Sequence, residues 1–211
     1  LPSKSKVAKV KHHAALPYSQ VGAFMADLRE QIGYSARALE FAILTAARTG
    51  EVIGATRSEV DLEAKVWIIP AGRMKAEREH RIPLSPRAIE VIKAMPDDEG
   101  EFIFPGGRKG RPLSQMALLT TLRRMGRGDL TTHGFRSTFR DWCAEQTAYP
   151  AEAAELALAH TVSDKVEAAY RRGDMFEKRR RMMADWANYC AKPLSEASGE
   201  VIPIRQEHHH D

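Results

Sequence analysis

Cysteine is scarce in this sequence, with only Cys143 and Cys190 among 211 residues. Two thiols in a chain of this length do not make a disulfide framework, and the lack of a CxxC motif or a histidine–cysteine cluster argues against a zinc site. Both cysteines lie among apolar residues of predicted helices. The pattern therefore predicts buried free thiols in a reducing compartment.

Long apolar runs are also missing. No stretch approaches the roughly 20 apolar residues of a membrane-spanning helix, and the basic residues 1–13 are followed by no apolar core of a secretory signal. We therefore expect a cytoplasmic protein without a membrane partner. The sequence does not begin with methionine, and we expect it to be part of a longer chain.

Two further absences concern cofactors. No acidic cluster is arranged to hold a metal, and no P-loop is present to bind a nucleotide, so we expect no metal and no other cofactor. What the sequence does contain is a hydrophobic fraction of 43% and a net charge of +4. The first is enough for a packed core, and the second is compatible with a polyanionic partner without identifying one.

The hydrophobic pattern divides the chain into three parts. Residues 1–15 are basic and polar and are interpreted as an interdomain linker. Residues 16–192 have the periodic patterns of one folded domain, and residues 193–211 are predicted to form a flexible tail. Its last residues, EHHHD at 207–211, are either the remnant of an affinity tag or native sequence.

Most of the domain has helical spacing. A first helix is expected from about 18 to 32, ended by Gly33. Ser35 would cap a second helix, ARALEFAILTAA, which is apolar on nearly all sides and therefore central, and which would carry Arg48 at its C-terminal end. A short helix to about Thr56 would follow. Later helices are predicted at about 114–125, 134–147, 151–159, 164–171 and 175–191.

One segment has strand character. VWIIP and HRIPL flank a polar turn, which predicts a small antiparallel sheet over residues 65–84. Ser85-Pro86 then begins another helix, with proline at its first position. The predicted fold class is therefore mainly α with a small antiparallel β-sheet (α+β). The apolar stripe of helix 175–191 could pack within the chain or against a neighbouring protomer.

Two basic places are hard to explain by folding alone. Arg48 follows a buried-looking helix, where a charge needs a partner, although a cation at a helix C-terminus also complements the helix dipole. His133 and Arg136 share one face at a predicted helix N-terminus, where phosphate binds readily, although a solvated polar face has the same spacing. Arg140 would continue this face, or pair with Asp141 or Glu145.

The third place is LALAHTVSDKVEAAYRRGD. His160 closes an apolar helix, and ten residues later Tyr170 lies beside Arg171 and Arg172. Taken alone, Tyr170 could be an ordinary core or surface tyrosine. None of the other four tyrosines is followed directly by two arginines in this way.

Together these places resemble the tyrosine recombinases, and the flanking sequence is similar to integrases of temperate phages and genomic islands. The resemblance spans about residues 16–192, and its ordered positions over more than 120 residues are more specific than any one of them. The matching text is ARTGE around Arg48, Lys75 in the turn, HGFR from His133 to Arg136, LAH ending at His160, AAYRRGD around Tyr170, and the flanks ALEFAILTAARTGEV, MKAEREHRIPLS, HGFRSTFRDW and EKRRRMMADWANY.

The resemblance implies the DNA breaking-rejoining catalytic-domain fold and metal-independent strand exchange. Arg48 and Arg136 would clamp the non-bridging oxygens of the scissile phosphate, since guanidinium groups keep their charge at neutral pH. Tyr170 would attack phosphorus, form a 3′-phosphotyrosine and release a 5′-hydroxyl. Lys75 would protonate that leaving oxygen.

Three further roles follow from the same resemblance. His133 would assist proton transfer or bind the phosphate, and His160 would donate to a phosphate oxygen. Glu51 would not touch the phosphate but would orient the arginine and histidine. The candidate DNA contacts are Arg73, Arg140, Arg171 and Arg172; the run KRRR at 178–181 is either a further contact or a solvated helix face.

The implied partners are double-stranded DNA attachment sites in bacteria. The whole protein would carry N-terminal DNA-binding domains, form a homotetramer in its synaptic complex, and work with a host DNA-bending protein and an excision factor while integrating or excising a prophage or other mobile element; this piece alone could be a monomer. Two alternatives stay open from the sequence. One is a type IB topoisomerase-like relaxing enzyme, and the other is a DNA-binding module that has lost its chemistry.

Overall fold

A buried central helix organises the fold. In the computed structural model, which describes residues 14–97, 100–160 and 173–192, every residue from Ala38 to Ala47 is buried. The predicted mainly helical class with a small sheet is confirmed. The helices are α1 (Val21–Arg29), α2 (Tyr34–Thr45), α3 (Thr49–Ile53), α4 (Pro86–Lys93), α5 (Ala117–Arg124), α6 (Gly134–Gln146), α7 (Ala151–Ala157) and α8 (Phe176–Ala191).

Several predictions lie outside the described residues. They are residues 1–13 of the linker predicted over 1–15, the helix predicted at 164–171 with Tyr170 and Arg171, the neighbouring Arg172, and the tail from residue 193 onward. Within the described ranges, no helix is both long enough and apolar enough to cross a membrane.

The boundary between α1 and α2 differs from the prediction. Residues Tyr18–Gln20 form one 3₁₀ turn, and α1 ends at Arg29 instead of continuing to 32. Arg37 donates to the carbonyls of Leu28, Arg29 and Gln31, so the open end of α1 is satisfied before the chain turns.

The predicted Ser35 cap is wrong. Gly33, at φ 102°, directly precedes α2, which begins at Tyr34. Ser35 therefore lies inside the first turn, where its hydroxyl accepts a hydrogen bond from Thr121 of α5 at 2.9 Å.

The sheet covers one side of the helical core. Strands β1 (Val60–Asp61), β2 (Val66–Ile69) and β3 (His80–Pro83) pair antiparallel in that order. The β2–β3 hairpin is confirmed, whereas β1 was not predicted because two residues are too few to show a period. Ser85 caps α4 by accepting the backbone N–H of Ala88, with Pro86 at the first helical position, as predicted.

The last helix packs within its own chain. The indole N–H of Trp186 in α8 donates to the carbonyl of Ile43 in α2 at 2.8 Å, and Met182, Met183 and Cys190 are buried beside it. The helix therefore packs against α2 and completes the core.

Two side-chain predictions can be compared with the structure. Cys143 and Cys190 are free and buried, as expected, and burial raises the pKa of Cys143 to about 12. Arg179 in the KRRR run is 1% exposed, so it lies neither on a solvated face nor on a DNA-contacting surface. Its guanidinium instead pairs with Asp174 at 2.8 Å.

Candidate active site

Arg48 lies between two helices. Helix α2 stops at Thr45 because Ala46 adopts a left-handed conformation, with φ 50°, so the expected place at the C-terminal end of α2 is wrong. Arg48 instead directly precedes α3. The Glu51 carboxylate accepts both the backbone N–H of Arg48 and its guanidinium, each at 2.8 Å. With one side chain, Glu51 thus accepts a backbone N–H at the start of α3 and orients the guanidinium of Arg48.

Arg136 lies on the first turn of α6 and is 4% exposed, so a solvated polar face does not describe it. The turn is set by a close approach at Gly134, where an added Cβ would lie 2.1 Å from the carbonyl oxygen of Ala14. Arg136 donates to the carbonyls of Ala46 and Leu158, at 2.5 and 2.6 Å. A side chain at position 134 would clash with the backbone of Ala14, which accounts for the glycine in the HGFR segment.

Arg48 and Arg136 meet at the C-terminal end of α7. Ala159 adopts a left-handed conformation, with φ 48°, and the backbone N–H of His160 donates to the carbonyl of Glu155 at 3.0 Å. The last carbonyls of a helix lack partners within it. The carbonyl of Leu158 accepts from Arg136 and also from Arg48, at 3.3 Å.

The two guanidinium groups therefore converge on one oxygen atom, although 88 positions separate them in the sequence. Arg48 also donates to the carbonyl of Ala159 at 3.4 Å. The negative end of the α7 dipole offsets part of the repulsion between the two cations.

His160 completes this cluster. Its Nε2 lies 3.2 Å from Nη2 of Arg136, and its Nδ1 lies 2.6 Å from the Glu155 carboxylate. The side chain is 40% exposed, so the cluster opens to solvent at His160. His133 is exposed and directly precedes α6.

The electrostatics of the cluster favour an anionic ligand. Burial, and next the positive charge of Arg48, lower the pKa of Arg136 to about 10. Arg136 therefore stays charged at neutral pH but is poorly solvated. Its Nε is buried and makes no hydrogen bond within the described part of the chain. An arriving oxyanion would relieve the desolvation of these donors.

The remaining predicted site residues differ in solvent exposure and in their partners. Lys75 is exposed in the turn before β3. Arg73 pairs with Glu59 and donates to the carbonyl of Glu51 at 2.6 Å, which ties the base of this turn to α3. Arg140 is 61% exposed and pairs with Glu155, at 2.7 Å, instead of with Asp141 or Glu145. No group of three or more potential metal-binding side chains occurs in the described ranges.

Sequence reasoning missed His80 and Glu155. His80 begins β3 on the same buried face as Ile82, and its Nε2 lies 3.3 Å from the carbonyl of Ala157. Burial, followed by the charge of Arg179, lowers the pKa of His80 to about 4. The alternation of HRIPL already placed His80 on the core face, and Glu155 is an acidic residue within the apolar run that ends at His160.

Three of the four tyrosines in the described ranges are engaged elsewhere. The Tyr149 hydroxyl donates to Asp185 at 2.6 Å, and burial together with this bond raises the pKa of Tyr149 to about 12. The Tyr18 hydroxyl donates to Glu145 at 2.7 Å. Tyr189 stacks on Trp186. Such partners oppose use of these phenols as nucleophiles.

Known proteins resemble this chain over most of its length. The Phage integrase family model matches residues 15–176. Prophage integrase IntA of Escherichia coli (strain K12) is 38% identical over 150 residues, covering 69% of this chain and 36% of IntA. Prophage integrase IntZ of the same strain is 33% identical over 211 residues, covering 98% of this chain and 52% of IntZ. The chain thus spans about half or less of these relatives.

A solved structure shares the fold. A lambda integrase dimer bound to a COC′ core site aligns with a TM-score of 0.58 and 19% identity, covering 75% of this chain and 62% of that chain. Because the family model covers well over half of the sequence and both relatives exceed 30% identity over at least two thirds of it, this chain belongs to the phage integrase family of tyrosine recombinases.

Proposed function

We propose that residues 16–192 are the catalytic domain of a site-specific DNA recombinase, an integrase that cuts and rejoins DNA through a 3′-phosphotyrosine at Tyr170. The observation that carries the proposal is the convergence of Arg48 and Arg136 on the carbonyl of Leu158, with His160 at hydrogen-bond distance from Arg136. Two guanidinium groups and an imidazole around one opening suit a single phosphodiester.

The two arginines supply charge to the transition state. Cleavage of a phosphodiester places additional negative charge on the non-bridging oxygens, and fixed donors that already lie at that point need not reorganise. The Nε of Arg136, which has no hydrogen-bond partner in the described part of the chain, and the partly exposed guanidinium of Arg48 are the groups for this task. Glu51 holds Arg48 by two hydrogen bonds, so that its guanidinium keeps one orientation as DNA binds.

The proton transfers fall to the remaining candidates. Tyr170 attacks phosphorus in line with the 5′ oxygen, Lys75 gives that oxygen its proton, and the phosphotyrosine keeps the energy of the broken bond for rejoining. His133 accepts the proton that the Tyr170 phenol loses and can also hydrogen-bond the phosphate, and His160 donates to a phosphate oxygen. The exposed position of Lys75 in its turn is compatible with delivery by movement of the hairpin onto DNA.

The proposed substrate is double-stranded DNA at an attachment site. Support comes from the lambda integrase structure, which holds a core site, and from the exposed Arg140 near the site. Arg171 and Arg172 are proposed as further DNA contacts, and Arg73 as one only after its guanidinium leaves Glu59. The whole protein is proposed to act in the bacterial cytoplasm as a synaptic tetramer, with a host DNA-bending protein and an excision factor, whereas this piece alone would be monomeric.

A nicked suicide substrate tests the chemistry. When a short strand beyond the scissile phosphate diffuses away, the covalent protein–DNA adduct cannot be resealed and accumulates. We expect an adduct whose modified peptide, identified by mass spectrometry, carries the nucleotide on Tyr170. Tyr170→Phe should form none, whereas the matched control Tyr149→Phe should form as much as the unchanged protein.

Three outcomes would contradict the proposal. DNA binding without an adduct from the full-length protein would indicate a binding module that has lost its chemistry. An adduct on another tyrosine would refute the assignment of Tyr170. Relaxation of supercoiled plasmid by an adduct-forming protein that never recombines paired sites would indicate a topoisomerase.

A further inference from the structure

Glu155 lies behind His160, on the side away from Arg136. Its side chain is 27% exposed, and its two carboxylate oxygens have different partners. One lies 2.6 Å from Nδ1 of His160, and the other accepts from Nε of Arg140 at 2.7 Å. Because Arg140 and His160 hold opposite oxygens, the carboxylate has little freedom to rotate.

The contacts of His160 decide where its ring proton lies. A guanidinium group has only donors, so the Nε2 atom that lies 3.2 Å from Arg136 must accept. In the neutral ring the proton is therefore on Nδ1, from which it is donated to Glu155. Glu155 thus fixes both the tautomer and the orientation of His160.

The charge of Glu155 matters when DNA arrives. Burial opposes ionisation, but the hydrogen bond from His160 and the charge of Arg140 outweigh it and lower the pKa of Glu155 below its ordinary value. The group is therefore a carboxylate at neutral pH. To donate from Nε2 to a phosphate oxygen while Nδ1 stays bonded to Glu155, the His160 ring must carry a proton on each nitrogen, and the Glu155 carboxylate lies 2.6 Å from Nδ1 to accept that hydrogen bond.

We propose that Glu155 is a positioning residue for strand cleavage, which fixes the orientation of the His160 ring against the scissile phosphate. This inference rests on the proposed function. Arg140 holds the second oxygen of Glu155 and so keeps the carboxylate turned towards the ring. Carboxylates that orient functional histidines in this manner are worth about 10–100-fold in activity at metal sites, and we expect an effect of this size.

Single-turnover cleavage of the suicide substrate at saturating enzyme tests the proposal. Glu155→Ala should lower the cleavage rate about 10–100-fold with little change in DNA affinity. Glu155→Gln keeps an oxygen that can accept from Nδ1 but has no charge, so it should recover part of the rate. Glu90→Gln is the matched control, because it makes the same change at an exposed carboxylate that pairs with Arg87 of α4, and its cleavage rate should equal that of the unchanged protein.

A double-mutant cycle separates positioning from mere stability. If Glu155 acts through His160, then Glu155→Ala/His160→Ala should cleave as fast as His160→Ala alone. Equal rates for Glu155→Gln and Glu155→Ala, or an additive loss in the double variant, would overturn the proposal. Thermal unfolding of each variant shows whether a lower cleavage rate comes from unfolding of the domain. Glu155→Gln is isosteric and keeps the test valid if the alanine variant unfolds.

A DNA-free measurement separates this inference from the proposed function. In protein labelled with ¹⁵N-histidine, the His160 signals are those that vanish in His160→Gln, and at a pH where the ring is neutral we expect a protonated Nδ1 and an unprotonated Nε2. A ring protonated at Nε2 would overturn the proposal even in an active enzyme. The expected tautomer together with an absent adduct would instead refute only the recombinase chemistry.

Discussion

Arg136 has two roles that require a guanidinium group: it binds two backbone carbonyls, and it keeps a further N–H donor for a ligand. Its guanidinium donates to Ala46 and Leu158 and still has Nε to offer a ligand. A lysine has one ammonium group on a flexible stem and cannot make this fork. We therefore expect Arg136→Lys to lower the single-turnover cleavage rate about 10²–10³-fold.

The control for that variant is Arg87→Lys, at a partly exposed guanidinium that pairs with Glu40 and Glu90. Its cleavage rate should equal that of the unchanged protein. A comparable rate for Arg136→Lys would mean that the charge at 136 suffices and that the fork is unimportant.

His80 should make the stability of the domain depend on pH. Its pKa is about 4 in the folded protein, below the ordinary value of 6.5, because burial disfavours the cation. Between these two pH values the unfolded chain binds a proton that the folded chain does not, so stability falls as the pH falls through this window. The loss should approach about 3 kcal/mol at the lower end.

Urea unfolding at pH 7 and pH 4.5 checks this expectation. His80→Gln can still donate to the carbonyl of Ala157 but does not titrate, so its free energy of unfolding should fall less over the same interval. Carboxylates with lowered pKa, such as Glu40 and Asp174, also lose stabilising contacts on acidification, but equally in both proteins. Parallel pH profiles would contradict the role given to His80.

At the scale of elements, the junction of β3 with α8 is held by one acidic residue. The Asp174 carboxylate accepts from Arg81 of β3 at 2.9 Å and from Arg179 of α8 at 2.8 Å. Arg179 also donates to the carbonyl of Arg81 at 2.8 Å. The hairpin that carries Lys75 is therefore tied to the chain four residues after Tyr170.

Loss of this acidic group should weaken the junction. Asp174→Asn leaves the buried Arg179 without an opposite charge, and we expect the free energy of unfolding to fall by about 2 kcal/mol, less than for a fully buried pair because Asp174 is partly exposed. Arg81→Gln removes the more exposed partner of Asp174, whose side chain is 44% exposed. It should lower the free energy of unfolding by less than about 1 kcal/mol. Urea denaturation measures both losses. A larger loss for Arg81→Gln than for Asp174→Asn would refute the central role given to Asp174.

At the scale of the whole molecule, periodicity predicted most elements but not the way they meet. The central helix, the β2–β3 hairpin and the Ser85-Pro86 helix start follow from local pattern. The end of α2 did not, because Ala46 takes a left-handed conformation that alanine seldom adopts. A shared site for Arg48 and Arg136 was expected only from the resemblance, since no local signal links residues so distant in sequence, and their common contact with the carbonyl of Leu158 was not predicted.

Trp186 holds together the two helical regions that contribute the arginines. Its indole donates to Ile43 of α2, and its ring packs edge-on against Phe139 of α6 and close to Trp142. We expect Trp186→Ala to lower the free energy of unfolding by about 3–5 kcal/mol, through lost burial and a cavity between α2, α6 and α8.

The activity of that variant should follow its folded fraction. Because the arginines depend on the same core, cleavage should be lost where Trp186→Ala unfolds and regained on cooling to a temperature at which circular dichroism shows it folded. Met116→Ala, at a side chain 49% exposed, should change the free energy of unfolding by less than about 0.5 kcal/mol. A folded Trp186→Ala that stays inactive at every temperature would show that α8 shapes the site directly, beyond completing the core.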